Sequence, residues 1–212
     1  MDRALFFLED GVDGLSRDDR WRTPLHIASE LGHMAMLRLA GAVRGAEFSS
    51  GDSSGLTPLH LAAREGRLDV LRFLRVKGAE VNARDNAGWA PLHFAAQRGD
   101  EDCVAFLAGC RGADVNARSE TDWTPAHAAA MEGRVGVLRL LRTLGADLFA
   151  KDAAGTTPLH AACARSNADA VRFLVDCGAD VNARNSARKT PMALASDPRI
   201  IAMLEAAGGR PK

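Results

Sequence analysis

The stretch Asp85 to Gly99, DNAGWAPLHFAAQRG, decides the fold of this 212-residue chain. It begins with a turn that contains Gly88, continues with an apolar segment that starts at a proline, and ends at Gly99. Proline in the first helical turn loses no hydrogen bond, because its missing N–H would have had no partner there. The stretch therefore predicts a tight turn followed by a short helix that a glycine ends.

The same unit recurs along the whole chain. Its four-residue core is TPLH, APLH or TPAH in five copies and TPMA in the last copy. The prolines follow one another at intervals of 33 or 34 residues and are Pro24, Pro58, Pro91, Pro125, Pro158 and Pro191. A fixed period of this length predicts a repeat architecture, in which each unit buries its apolar face against its neighbours.

The motif and the period resemble those of ankyrin-repeat proteins, whose signature is T-P-L-H-x-A with a period of about 33 residues. The resemblance covers essentially the full length, and it implies an all-α solenoid of helix-turn-helix repeats with hairpin-like turns. We predict a half-repeat cap at 1–20 and a C-terminal capping repeat at 188–212. Between them we predict five repeats, at 21–54, 55–87, 88–121, 122–154 and 155–187.

Each repeat combines a few framework positions. The threonine before the proline is predicted to cap the first helix, small residues to let neighbouring first helices approach, and glycines such as Gly99 to end that helix. In the fifth repeat Ser166 and Asn167 replace this glycine, and we assign the left-handed cap to Asn167. Phe6 and Phe7 lie in the half repeat, either packed within the cap or in contact with a partner.

Composition narrows the classes of function. Lys+Arg and Asp+Glu number 27 each, so no net charge favours nucleic acid or an anionic membrane. The cysteines form no C-x-x-C pair, which indicates free thiols rather than a zinc site or a disulfide framework. No signal-peptide pattern and no membrane-length apolar run occurs. We expect an intracellular monomer of the cytoplasm or nucleus that binds another protein, and not nucleic acid, a membrane or a small-molecule substrate.

Histidines are the main candidates for a catalytic or metal-binding role. Five of the six share one position in successive repeats: His26, His60, His93, His127 and His160. Helices stacked about 8 to 10 Å apart hold these rings too far from one another to share a zinc ion, whose ligands lie at about 2 Å. The family resemblance implies a structural hydrogen bond beside the TPLH threonine. Because no P-loop, H-E-x-x-H, G-x-S-x-G or Rossmann pattern occurs, we predict no catalytic residue, no metal, no cofactor and no enzymatic activity.

The family resemblance implies that partners bind at the hairpin tips and on the exposed face of the first helices. The residue before each TPLH threonine forms one line there, here termed the hairpin column: Arg22, Leu56, Trp89, Trp123, Thr156 and Lys189. Tryptophan and arginine are the residues most enriched at interface hot spots. The predicted partner-binding residues are Trp21, Arg22, Leu56, Trp89, Gln97, Arg98, Trp123, Met131 and Glu132.

The tryptophans have an alternative interpretation, in which each indole folds onto its own hairpin and protects it. For the two tryptophans of the hairpin column the sequence favours neither interpretation. For Trp21, which replaces the turn glycine of the first repeat, it favours a ring that covers the N-terminal cap. We expect Met131, next to Trp123, to extend an apolar patch with Arg98 and Glu132 at its rim.

Three asparagines, Asn82, Asn116 and Asn182, lie in V-N-A-R turns. The family resemblance implies that such asparagines can be substrates for hydroxylation. The alternative, which the residues themselves favour, is that each side chain satisfies turn backbone groups.

The predicted function is protein recognition by an adaptor, scaffold or inhibitor that occupies a partner's surface. The alternative is a regulatory or targeting subunit of a larger catalytic assembly, such as a phosphatase, a ubiquitin ligase or a proteasome assembly. In size and in being all repeat the chain also resembles the proteasome regulatory-particle assembly chaperone, with an AGW-x-PLH hairpin of the kind seen at Ala87–His93.

Overall fold

The computed structural model describes residues 16–210, which form twelve helices and no β-strand. Six first helices start at proline: α1 (Pro24–Leu31), α3 (Pro58–Arg64), α5 (Pro91–Arg98), α7 (Pro125–Met131), α9 (Pro158–Ala164) and α11 (Pro191–Leu194). The second helices are α2 (Met34–Ala40), α4 (Leu68–Val76), α6 (Glu101–Gly109), α8 (Val135–Thr143), α10 (Ala168–Asp176) and α12 (Pro198–Ala206). The predicted all-α fold is confirmed. Most of the predicted half-repeat cap, including Phe6 and Phe7, lies outside the described residues.

The helices stack in two rows. Each first helix contacts the next first helix, and each second helix contacts the next second helix. Alanines such as Ala62 and Ala95 are fully buried where neighbouring first helices meet, as predicted for small residues that allow close approach. Leucines of the second helices, such as Leu71 and Leu138, are also fully buried, and they belong to the same hydrophobic core. The described repeats therefore share one continuous core.

A reciprocal pair of hydrogen bonds starts α3, and Thr157 and His160 form the equivalent pair at the start of α9. Thr57 Oγ1 accepts the N–H of His60 at 3.4 Å, and His60 Nδ1 accepts the N–H of Thr57 at 3.0 Å. In the third repeat Ala90 has no hydroxyl, and only the bond from its N–H to His93 Nδ1 is made, at 3.1 Å. The predicted threonine cap is therefore a capping box in which histidine takes the usual place of glutamate.

Backbone hydrogen bonds join consecutive hairpins into a ladder. Within one hairpin the N–H of Asp85 donates to the carbonyl of Trp89 at 3.0 Å. Between hairpins the N–H of Asn86 donates to the carbonyl of Ser54 at 2.9 Å, and equivalent bonds link the other neighbouring hairpins of the described chain. The repeat boundaries stay a prediction, because these bonds tie neighbouring hairpins together without marking where one repeat ends.

One position in each hairpin has left-handed backbone. Gly88 occupies it with a φ of 76°, and the equivalent Trp21, Asp122 and Arg188 have φ values of 62°, 61° and 58°. Trp21 thus stands in the position of a turn glycine, as the sequence indicates. A side chain in this conformation costs about 1 kcal/mol or more, which the surrounding hairpin must offset.

The assignment of the left-handed cap to Asn167 is wrong. Ser166 has a φ of 58°, whereas Asn167 has a φ of −85° and is the N-cap residue of α10. Ser166 lies as far from Pro158 as Gly133 does from Pro125, so the register of the repeat outweighs the greater tolerance of asparagine for left-handed backbone. Asn167 instead donates from Nδ2 to a backbone carbonyl of the preceding repeat.

A second line of bonds between repeats runs through the V-N-A-R asparagines. Asn82 donates from Nδ2 to the carbonyl of Gly112 at 2.6 Å, and its Oδ1 accepts the N–H of Asp114 at 3.1 Å. Asn116 and Asn182 also accept from backbone N–H groups further along the chain. Each asparagine therefore satisfies turn backbone through its side chain, as the residues favour, and the backbone that it binds is that of the following repeat.

Phe149 interrupts this line between the fourth and fifth repeats. It occupies the asparagine position, and its side chain is 45% exposed. We predict that Phe149→Asn raises the free energy of unfolding by about 1 kcal/mol, because the amide gains hydrogen bonds to the backbone at Gly178 and Asp180. Guanidinium-induced unfolding checks this value. Phe149→Ala, which removes the ring without adding bonds, is the control, and a Phe149→Asn protein no more stable than this control would contradict the prediction.

Candidate protein-binding surface

The buried histidines fix the backbone of the hairpin column. Each donates from Nε2 to the carbonyl of the column residue in the next repeat, at 2.9 to 3.1 Å: His26 to Leu56, His60 to Trp89, His93 to Trp123, His127 to Thr156 and His160 to Lys189. Because Nδ1 accepts a backbone N–H, the proton of the neutral ring lies on Nε2. The predicted bond beside the threonine is present, and the other ring nitrogen adds a link to the next repeat.

Burial lowers the pKa of all five histidines that donate to the hairpin column. Every one of these residues is 0% exposed, and desolvation disfavours the charged ring more than the nearby carbonyls and carboxylates favour it. For His26 the pKa falls to about 4. The rings are therefore neutral at pH 7. Within residues 16–210, no three His, Cys, Asp or Glu side chains come together in a group that could hold a metal ion.

Trp89 packs on its own repeat. Its ring centroid lies 5.4 Å from that of His93 and 5.1 Å from that of Phe94, and the side chain is partly buried. The ring thus shields the histidine framework, as the protective interpretation expects. The part that stays exposed leaves room for contact with a partner.

Trp123 is held more firmly. Its indole stacks on the His127 ring with centroids 5.6 Å apart, and Nε1 donates to Asp152 Oδ2 in the next hairpin at 3.0 Å. The indole donor is therefore already used within the chain. A partner would contact the partly exposed face of this ring rather than its N–H group.

A groove crosses the first helices beside Trp89. It has a volume of about 580 Å³, and its lining residues are Arg64, Phe94, Gln97, Arg98, Gly99, Asp100, Glu132 and Arg134. This first-helix groove joins the hairpin column, because Phe94 contacts both the groove and the Trp89 ring. At Gly99 a Cβ atom would lie 2.6 Å from Arg134 Cδ, so the absence of a side chain leaves space for this arginine.

Backbone carbonyls position two arginines in the first-helix groove. Arg98 donates from Nη1 to the carbonyl of Arg64, and Arg134 donates from Nε to the carbonyl of Gln97, each at 3.2 Å. Arg64 pairs with Glu30 at 2.9 Å, whereas Arg98 and Arg134 have no ion-pair partner in the described part of the chain. Their remaining N–H groups are available for a partner's carboxylate or carbonyl groups.

The structure brings together three of the predicted residues, Gln97, Arg98 and Glu132, in this groove. Sequence reasoning missed Phe94 and Arg134. Phe94 carries a signal that could have revealed it, since the other first helices have leucine, isoleucine or alanine at its position. No sequence signal marks Arg134, because its place in the groove depends on a contact with the preceding repeat.

Arg22 and Leu56 lie in a neighbouring groove of about 300 Å³ that shares Arg64 with the first-helix groove. Arg22 forms ion pairs with Asp18 at 2.8 Å and with Glu30 at 3.3 Å. These carboxylates use much of the hydrogen-bonding capacity of Arg22, so Leu56 is the part of this second groove best suited to apolar contact.

Four predicted residues line neither groove: Trp89 and Trp123, which are described above, and Trp21 and Met131. Trp21 is 62% exposed, with the guanidinium of Arg17, a residue of the predicted cap, 5.4 Å from its ring centroid. Whether this ring covers the cap stays a prediction, because most of the cap lies outside the described residues. Met131 is partly buried and does not line the first-helix groove. The surface around Arg98 is therefore a charged groove with one aromatic residue, rather than the apolar patch expected from Met131.

The stacked helix pairs, the hairpin ladder and the partly exposed column define a helical-repeat solenoid. The model of three consecutive ankyrin repeats matches the chain three times, at residues 3–85, 39–119 and 77–152, and the model of a single ankyrin repeat matches residues 154–186. The chain belongs to the ankyrin-repeat family, as the sequence resemblance predicts. Ankyrin repeats are in general protein–protein interaction modules.

The comparison with curated proteins gives no match, so the similarity in layout to the proteasome assembly chaperone stays a prediction. None of the helices within residues 16–210 combines the length and the apolar character that crossing a membrane requires.

Proposed function

We propose that this chain is a non-enzymatic binding protein, an adaptor, scaffold or inhibitor that occupies a partner's surface with its hairpin column and first-helix groove. The observation that supports this most strongly is the groove itself, where Arg98 and Arg134 are positioned by carbonyls next to the aromatic side chain of Phe94. Positioned arginines and aromatic side chains are the usual centres of binding energy at interfaces. The tryptophans of the column extend this surface along the hairpins.

Arg98→Glu is expected to weaken binding of the partner at least about tenfold, because an arginine at an interface hot spot contributes about 2 kcal/mol or more. The partner is first identified by affinity capture with the wild-type chain and mass spectrometry, and its dissociation constant is then measured by calorimetry with both purified proteins. Arg98 is exposed, so the substitution should leave the fold intact. Arg172→Glu, on the exposed side of α10, is the matched control and should bind as the wild type does.

Equal affinities for the wild type and the Arg98→Glu protein would place the partner outside the first-helix groove. Identification of the captured partner also separates the two roles. A phosphatase, a ubiquitin ligase or a proteasome assembly among the stoichiometric partners would favour the regulatory or targeting subunit over the stand-alone adaptor.

A further inference from the structure

A pocket opens between α4 and α6, on the row of second helices. It has a volume of about 360 Å³, and its lining residues are Arg72, Arg75, Val76, Phe106, Cys110 and Arg111. None of them belongs to the hairpin column or to the first-helix groove. This second-helix pocket is therefore a separate feature of the surface.

The pocket lies where the third repeat departs from the others. Ala105 occupies a position that carries arginine in four other second helices: Arg38, Arg72, Arg139 and Arg172. The end of α6 also differs, since Cys110 has extended backbone with φ −67° and ψ 141°, whereas the equivalent Lys77 has φ −81° and ψ 2°. One extra residue, Arg111, follows before Gly112. The extended backbone at Cys110 and the inserted Arg111, both of which line the pocket, thus distinguish it from the equivalent end of α4.

The equivalent site between the fourth and fifth repeats shows which contact is missing at this pocket. There the Arg139 guanidinium lies 5.1 Å from the centroid of the Phe173 ring. Arg72 and Phe106 are the equivalent pair for the second and third repeats, and they line the pocket without such a contact among the described residues. Elsewhere on this row, Lys77 lies 5.7 Å from the centroid of Phe73. Phe106 is therefore open on the side where Phe173 is covered by a cation.

The charge of the pocket has one sign. Its three ionised side chains are arginines, no carboxylate lines it, and none of the three takes part in an ion pair within residues 16–210. Arg75 donates from Nη1 to the carbonyl of Ala79, which holds it at the edge of the pocket. Val76, which also lines the pocket, is 86% exposed. A pocket lined by both apolar and basic side chains is complementary to an apolar side chain flanked by carboxylates.

We infer that the second-helix pocket binds an acidic segment of a partner protein. One apolar side chain of that segment packs against Phe106 and Val76, and flanking carboxylates pair with Arg72 and Arg111. Because the pocket lies on the second helices and the proposed function uses the first helices and hairpins, the chain can hold two protein segments at once. This inference goes beyond the proposed function and does not depend on it.

The test uses the full chain, labelled with ¹⁵N, and a capped peptide in which one leucine is flanked by two glutamates on each side. The amide signals of residues 72–76 and 106–111 should shift on titration. A matched peptide with serine in place of leucine should bind at least about tenfold more weakly. The double variant Arg72→Glu, Arg111→Glu should lose the shifts, whereas Arg172→Glu, the equivalent of Arg72 in the fifth repeat, should retain them.

Several results would overturn the inference: shifts confined to the first-helix groove, equal binding of the leucine and serine peptides, or equal binding by the wild type and the double variant. Tighter binding to phosphatidylserine vesicles than to the peptide would identify the pocket as a lipid site and overturn it as well. Arg72 and Arg111 are exposed, and unchanged amide signals far from the pocket confirm that the double variant is folded. Arg98→Glu should bind the peptide as the wild type does, so failure of this inference is distinguishable from failure of the proposed function.

Discussion

Replacing His127 by alanine is expected to lower the free energy of unfolding by about 3 to 5 kcal/mol. The ring is 0% exposed and connects two repeats, since Nδ1 accepts the N–H of Thr124 at 3.2 Å and Nε2 donates to the carbonyl of Thr156 at 3.0 Å. Alanine leaves both backbone groups without these partners, at about 1 to 3 kcal/mol for each buried group. The cavity left by the ring adds to the loss. Guanidinium-induced unfolding at pH 7, followed by circular dichroism, measures the difference.

Two further variants separate the bridging role of His127 from a general effect of histidine removal. Glutamine at this position of a capping box can accept the N–H of Thr124, so His127→Gln should recover part of the lost stability. His33 is exposed, and its Nδ1 accepts only the N–H of Met36 at the start of α2, so His33→Ala should cost no more than about 1 kcal/mol. A His127→Ala protein as stable as His33→Ala would show that the link between repeats contributes nothing.

Lowering the pH from 7 toward 4 is expected to destabilise the fold through the same histidines. Burial lowers the pKa of His26 from 6.5 to about 4, so the unfolded chain takes up the proton at a higher pH than the folded chain does. Stability is therefore fully present above pH 6.5 and is lost progressively as the pH falls toward 4. At about 1.36 kcal/mol for each unit of pKa, His26 alone accounts for about 3 kcal/mol. The other four buried histidines act in the same direction.

The measurement is the free energy of unfolding at closely spaced pH values between about 7 and 4, a window chosen from the ordinary pKa of histidine and that of His26. Carboxylates in the ordinary range titrate mostly at the lower end of this window, so the loss between pH 6.5 and 5 reports chiefly on histidine. His26→Gln should show a shallower dependence than the wild type because one titrating ring is absent. A free energy of unfolding that stays constant from about pH 7 to 5 would contradict the neutral, buried state of these rings.

The sequence predicts the first helices well because their ends depend on neighbouring residues. Proline in the first turn, threonine before it and glycine after the last turn act within about eight residues, and the structure places α1 and α3 where those signals predict. The same local logic led to the wrong assignment at Asn167. There the fixed register of the repeat puts Ser166 into the left-handed position, although asparagine tolerates that backbone better.

The candidate binding surface is less predictable because its side-chain positions depend on contacts between residues about one repeat apart. The sequence places Gln97 and Arg98 on an exposed part of α5, but the bond from Arg134 to the Gln97 carbonyl joins residues 37 positions apart. The direction of the Trp123 ring likewise depends on Asp152, in the next hairpin. A repeat period gives the position of each side chain within its unit. It does not give the rotamer that a neighbouring unit selects.

The bond from each histidine to the hairpin column has a consequence for how such a protein can acquire new specificity. The acceptor is a backbone carbonyl, which every amino acid possesses, and in this chain leucine, tryptophan, threonine and lysine all accept the same bond. The framework therefore makes no demand on the side chain at these positions. Under the proposed function, point substitutions in the column change the side chains that meet a partner while the bonds to the scaffold are kept, so recognition and folding can evolve separately.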